Sequence, residues 1–126
     1  MLNSLENDYA SYRLRNGILY FEYKENVIVN LEEAIKIVDD RLKLQAGKSY
    51  PILCNTRGIK SMDKDARWYL ATEGSQLAIA VALIRNTPLS RLLAEMYMLG
   101  SVPSVPTKIV DNEGEGLEFL NKYSSS

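Results

Sequence analysis

The segment Gln76–Arg85 constrains the fold more than any other stretch of this chain. Leu77, Ile79, Val81 and Leu83 fall on one side of an extended backbone, and Ala78, Ala80 and Ala82 on the other. Alternation with β-branched residues marks a strand, and a strand apolar on both sides belongs in the middle of a sheet covered on both faces. The alanine side lets a helix approach closely. The apolar run Leu77–Ile84 is eight residues, far short of the ~20 that a membrane-crossing helix needs.

The rest of the chain supplies the neighbours such a strand requires. Residues 1–8 are polar and read as loosely held. From Tyr9, Ala10, Tyr12 and Leu14 alternate with Ser11, Arg13 and Arg15; Asn16-Gly17 follows; then Leu19, Phe21 and Tyr23 alternate with Ile18, Tyr20 and Glu22. Asn-Gly between alternating runs is the strongest short hairpin signal, because both residues tolerate positive φ. Val27–Val29 reads as a short extension of the sheet. Asn30 and Glu33 have capping-box spacing ahead of a helix over 31–46, with Leu31, Ala34, Ile35, Val38 and Leu42 as its inner stripe. Glu32–Lys36 and Asp39–Lys43 have the spacing of surface ion pairs. Tyr50–Cys54 is a second buried strand, Asn55–Lys60 a loop, and Ser61 or Asp63 the cap of a helix running to about Glu73. Thr87-Pro88 opens a third helix, striped by Leu89, Leu92, Leu93, Met96 and Leu99 and closed by Gly100. Val102–Pro106 is a linker, Thr107–Val110 a strand, and Asn112 with Glu115 caps a helix over Glu113–Lys122, which Gly114 and Gly116 weaken by ~1 kcal/mol each. The tail Ser124–Ser126 reads as frayed. Alternating βα units after an opening hairpin predict a single α/β domain over 1–126, its mixed sheet parallel in the later strands.

Composition narrows the function. The chain has no histidine, so Ser-His-Asp and Cys-His nucleophiles and histidine-ligated zinc are excluded. Fifteen basic residues against 16 acidic ones make no polycation, which disfavours nucleic acid or an anionic membrane as the partner. The single Cys54 makes no internal disulfide and fits a reducing compartment. The amino-terminal residues lack the basic and apolar regions of a secretory signal, so the expectation is a cytoplasmic protein.

Few places invite chemistry. The Asn55–Ser61 loop and the Asn86-Thr87 turn both lead from a parallel strand into a helix, where backbone N–H groups and a positive helix end can hold an anion. Plain helix capping is the readier account of each taken alone. Asp63, Asp65 and Glu73 cluster near the second helix, where carboxylates commonly complement the dipole. Cys54 reads as a small core residue, although Arg57 or Lys60 would lower its pKa if close. Gly114-Glu115-Gly116 lacks the form of a phosphate-binding loop, and no metal constellation or cofactor motif is present. Tyr9, Tyr12, Tyr20 and Tyr23 on the hairpin, with Trp68 and Tyr69 on the second helix, favour a contact surface over a catalytic centre. Self-association is expected through an edge strand, Tyr9–Arg15 or Val27–Val29.

The element order and the stretch Asn55-Thr56-Arg57-Gly58-Ile59-Lys60-Ser61-Met62-Asp63-Lys64-Asp65-Ala66 resemble a STAS-type domain, the family of the bacterial anti-sigma factor antagonist SpoIIAA. The corresponding family loop commonly reads Asp-Leu-Ser-Gly-Val-x-x-Met-Asp-Ser-Ser-Gly. Gly58, Met62 and Asp63 match it, and Asn55 stands in place of the first aspartate. Thr107–Asp111 and Leu117–Leu120 resemble the last strand and helix of proteins grouped as STAS/Sec14. The resemblance implies a small regulatory domain acting through protein contacts, with Asn55, Thr56, Arg57, Gly58, Lys60, Ser61, Asp63, Lys64, Asp65 and Arg67 as the recognition loop. Its alternative is a Sec14-like binder of a small apolar or lipid-like ligand, held between the sheet and the second and third helices. Lys64 and Asp65 replace the family's paired serines and Ala66 its glycine, so no phosphorylation switch is expected there: Asp65 is a fixed charge.

Overall fold

The computed structural model describes residues 3–101 and 103–123, apart from the side chain of residue 101. Strands β1 (Ser4–Glu6), β2 (Ala10–Arg15), β3 (Ile18–Tyr23) and β4 (Val27–Val29) precede helix α1 (Leu31–Gln45). Then come β5 (Tyr50–Asn55), β6 (Ile59–Met62), α2 (Lys64–Ala71), β7 (Ala78–Ile84), α3 (Pro88–Ser101), β8 (Thr107–Val110) and α4 (Glu113–Asn121). Six strands form one sheet in the order β1-β2-β3-β5-β7-β8. The β1–β2 and β2–β3 pairs are antiparallel, and β3–β5, β5–β7 and β7–β8 are parallel. This is the mixed α/β architecture expected from the sequence, with the doubly apolar strand β7 between two partners.

The hairpin turns through Asn16 at φ 53° and Gly17 at φ 77°, the left-handed pair its sequence demands. One face of the sheet is covered by α1, α2 and α3: Ala34, Ile37, Leu44, Ala66 and Leu93 meet Tyr12, Leu19, Phe21, Ile52 and Leu83. The other face carries α4, whose Leu120 meets Leu53, Ala80, Ala82, Ile84 and Val110. Here the alanine side of β7 does what its small side chains allow. A Cβ on Gly116 would lie 2.4 Å from Leu53 Cδ1 and 3.4 Å from Ala82 Cβ, so this glycine sets how closely α4 sits.

Several expectations are corrected. Residues 4–6 are not loose: they pair with β2, Ser4 opposite Arg13 and Glu6 opposite Ser11, so Tyr9–Arg15 is not an edge. Val27–Val29 does not extend the main sheet. It pairs in parallel with Ile59–Met62, which overlaps the loop expected over Asn55–Lys60, in a separate two-stranded ladder. Ser61 therefore lies exposed in β6, and Asp63 caps α2, its Oδ1 accepting from Ala66 N–H at 2.8 Å. Helix α2 stops at Ala71, and Glu73–Ser75 form a 3₁₀ turn. Leu77 is not part of the strand; it is a turn residue at φ 58°. Of the four hairpin tyrosines, Tyr12 and Tyr23 are core, packing edge-on against Phe21 at 5.1 and 4.7 Å between ring centres, and Tyr9 and Tyr20 are half-buried. Asp40 pairs with both Lys36 and Lys43, in place of the expected Glu32–Lys36 and Asp39–Lys43 pairs. The expected frayed tail, residues 124–126, lies outside the described residues.

The inner face of α1 is also rotated from the expected stripe. Ala34, Ile37, Val38, Arg41, Leu44 and Gln45 are buried, while Leu31 and Ile35 are exposed. Three polar residues of α1, Asp40, Arg41 and Gln45, are interior, and the last two bond the backbone around the entry to β7. Arg41 Nη2 donates to the carbonyls of Gly74 at 2.8 Å and Gln76 at 3.0 Å. Gln45 accepts from Arg41 and donates through Nε2 to the carbonyls of Lys48 and Leu77, at 2.9 and 2.8 Å. This latch ties α1 to the turn that aims β7 into the sheet, adding side-chain donors to its backbone carbonyls.

Candidate functional site

The loop singled out by sequence runs from the end of β5 into α2, and most of its polar side chains are engaged in building it. Asn55 accepts from Arg57 N–H at 3.0 Å and donates to Glu22 at 3.3 Å. Thr56 is buried and its hydroxyl donates to the Ile84 carbonyl at 2.6 Å. Gly58 is buried against backbone: a Cβ there would stand 2.3 Å from the Lys24 carbonyl oxygen and 2.6 Å from that of Tyr23. Arg67 donates to the Met62 carbonyl at 2.8 Å. Arg57, Lys60, Ser61, Lys64 and Asp65 face solvent; Arg57 comes within 4.0 Å of Glu25. The structure thus divides the predicted loop into a scaffold (Asn55, Thr56, Gly58, Asp63, Arg67) and an exposed, mainly basic rim.

At the Asn86-Thr87 turn, side chains of the helix start engage two of the backbone donors. Thr87 Oγ1 accepts from Ser90 N–H, and Ser90 Oγ from Thr87 N–H, both at 3.0 Å. The reciprocal pair caps α3 with its own side chains. Asp63, Asp65 and Glu73 form no metal cluster: among the described residues no group of three or more Cys, Asp or Glu could hold an ion. Cys54 is buried, and desolvation pushes its thiol up to about 12, so neither Arg57 nor Lys60 activates it.

Two surfaces remain. Helix α3 buries Ser90, Leu93 and Ala94, whereas Leu89, Leu92, Met96 and Leu99 of the expected stripe are exposed, Leu92 by 53% and Leu99 by 86%. Their 3-4-3 spacing aligns them along one side of the helix, next to the packed side, so the apolar arc covers more than half of its circumference. Trp68 on α2 is 59% exposed. On the outer face of the sheet, α4 leaves the hairpin uncovered, and a groove of about 640 Å³ runs over Arg13, Arg15, Tyr20, Glu22 and Glu113. Its charges are of both signs and select no ligand.

Beneath α1–α3 lies a half-enclosed apolar cavity of about 100 Å³. Ile52, Leu83 and Leu93 line it, together with four residues that carry polar groups, Tyr23, Cys54, Tyr97 and Arg41. Arg41 escapes a reading of apolar periodicity, yet it stands four residues after Ile37 and three after Val38, on the buried phase of α1. A charged residue at that phase is the signal that was available. Among the described residues no helix is long and apolar enough to cross a membrane.

A structure from Shewanella loihica PV-4, described as an uncharacterized protein of the DUF3478 family with a SpoIIAA-like fold, is similar over 92% of this chain and 98% of its own, with a TM-score of 0.61. Sequence identity is 13%, so the likeness speaks for the fold alone, and it agrees with the STAS/SpoIIAA resemblance of the loop. No curated protein matches the sequence. Residues 12–124, nearly the whole chain, match the family described as a domain of unknown function, DUF7793, and the chain belongs to that family on a SpoIIAA-like fold.

Proposed function

We propose that this chain is a non-enzymatic, cytoplasmic regulatory module that docks a helical segment of a protein partner on α3, beside the basic rim of the β5–α2 loop. The observation that carries this reading is the exposed row Leu89, Leu92, Met96 and Leu99. A contiguous exposed apolar row favours an interaction site, and the 3-4-3 repeat is that of a seam between two helices. Lys60, Lys64 and Arg91 are exposed and make no ion pair within the described residues, which favours carboxylates on the partner. The absence of histidine from the sequence and the buried, undissociated thiol of Cys54 support a non-catalytic role. Asp65 in the first turn of α2 supports a surface charge that needs no kinase.

The test is a purified complex. A partner recovered with the protein and then expressed separately should bind wild type, and Leu92→Glu or Leu99→Glu should weaken binding by at least about 30-fold, as at an interface hot spot. Glu118→Lys on α4 should leave binding unchanged. Reversal of Arg57, Lys60 and Lys64 together should also weaken it; a partner indifferent to that triple change and to both leucine variants would overturn the proposal. So would a light-scattering mass of two chains that reverts to one with Leu99→Glu, because the row would then be covered by a second copy.

A further inference from the structure

We propose that the cavity between the sheet and helices α1–α3 is a binding site for a compact apolar monocarboxylate, no larger than a single ring or a short branched chain. This is a site separate from the docking row on α3. Size sets the first limit. A cavity of about 100 Å³ is of the order of the roughly 150 Å³ apolar cavities that take up benzene, so the part of an occupant held inside it is compact.

The polar groups set the second. Tyr23 is 7% exposed, yet its hydroxyl makes no hydrogen bond; Tyr97, on the facing helix, makes none either. No buried side-chain oxygen or nitrogen among the described residues is sealed off without a partner. Both hydroxyls must therefore reach open space, and both residues line this cavity. A phenol in such a place without a partner is costly, and an occupant that accepts from it removes the cost. Burial holds the Tyr23 and Tyr97 phenols and the Cys54 thiol far above their ordinary values, so all three stay protonated and offer donors.

Charge sets the third. Arg41 is among the residues that line the same cavity, and its guanidinium bonds only neutral oxygens, those of Gln45, Gly74 and Gln76. Among the described residues no carboxylate pairs with it. A buried cation without a counter-ion favours an anionic occupant over a neutral one of the same shape. An apolar body against Ile52, Leu83 and Leu93, with its carboxylate toward Tyr23, Tyr97 and Arg41, satisfies all three conditions at once.

Benzoate and 3-methylbutanoate are suitable probes, with benzyl alcohol as the neutral control, titrated into the intact chain by calorimetry and followed by NMR. At least one acid should bind saturably, with shifts centred on Tyr23, Leu93 and Tyr97, and benzyl alcohol should bind at least about tenfold more weakly. Tyr23→Phe and Tyr97→Phe should each weaken the acid by about tenfold, the scale of a hydrogen bond to a charged group, while leaving the unliganded melting temperature unchanged or higher. Ala94→Leu, which fills the cavity, should abolish binding; if that variant does not fold, the two tyrosine variants decide. No saturable binding of either acid, equal binding of benzyl alcohol, or acid binding indifferent to both tyrosines would overturn the assignment and leave the cavity to water.

Discussion

Gly58 shows how a single residue ties the loop to the sheet. Its α-carbon lies so close to the end of β3 that a methyl group would overlap two backbone carbonyl oxygens, at 2.3 and 2.6 Å. Backbone cannot rotate away as a side chain can, so either the β5–β6 turn or the end of β3 must move. Both carry bonds that would suffer: Val27 N–H donates to the Gly58 carbonyl at 3.1 Å, and Ile59 N–H to that of Thr56 at 3.2 Å. Gly58→Ala should therefore cost about 2 kcal/mol or more, in the range of overpacked interiors. A urea midpoint within error of wild type would show that the turn yields freely. The glycine that marks the family loop is thus explained by a close approach of backbone, with no appeal to a ligand.

At the scale of one element, α3 separates packing from presentation along a single helix. Leu93 is buried against β-strand side chains, and Leu99, six residues on, is 86% exposed. Leu93→Ala should destabilise by about 2–4 kcal/mol, as for a leucine leaving a core, whereas Leu99→Ala should change stability by no more than about 0.5 kcal/mol. Equal losses in thermal or urea unfolding would mean that Leu99 is covered within the monomer. The same helix shows where sequence reading ends. The hairpin, β5, β7, the helix starts at Leu31 and Pro88, and the βα order were legible, because alternation, Asn-Gly and caps are local. Which side of a helix faces inward is not local when apolar residues cover most of it: the 3-4-3 row of three leucines and Met96 is the more regular pattern, and it lies outside, while Ser90, Ala94 and Tyr97 pack. In α1 the reading failed for the opposite reason, since Arg41 and Gln45 are interior and look like surface residues. The β4–β6 ladder escaped notice because each strand is only three or four residues long and pairs across the whole of α1 and β5. The loop of the candidate site was legible through its resemblance; the cavity was not, because its tyrosines and Arg41 meet only in three dimensions.

Taken as a whole, the molecule buries four weak acids on the helical side of its sheet: Cys54, Tyr12, Tyr23 and Tyr97. In each case burial raises the pKa above the ordinary 9.0 of the thiol or 10.0 of the phenol. The folded chain keeps these protons, and the unfolded chain loses them as pH rises past those ordinary values. Their contribution to stability is therefore complete below about pH 9 and shrinks as pH climbs toward the folded values. For Cys54 that window runs from 9.0 to about 12. Arg41 works in the opposite sense, since burial lowers it to about 10 and deprotonation above that point would relieve its desolvation. One base does not offset four acids. The protein should hold its stability from neutral pH to about 9 and then lose about 2 kcal/mol by about pH 10.5 from the thiol alone, at about 1.4 kcal/mol per unit of separation. Urea midpoints across that range check the curve, and Cys54→Ala should flatten its first part, between the ionisation of thiol and phenol. A curve flat to about pH 11 in both proteins would mean that the thiol and phenols are solvated in the folded chain, and the burial that raises them would be overturned.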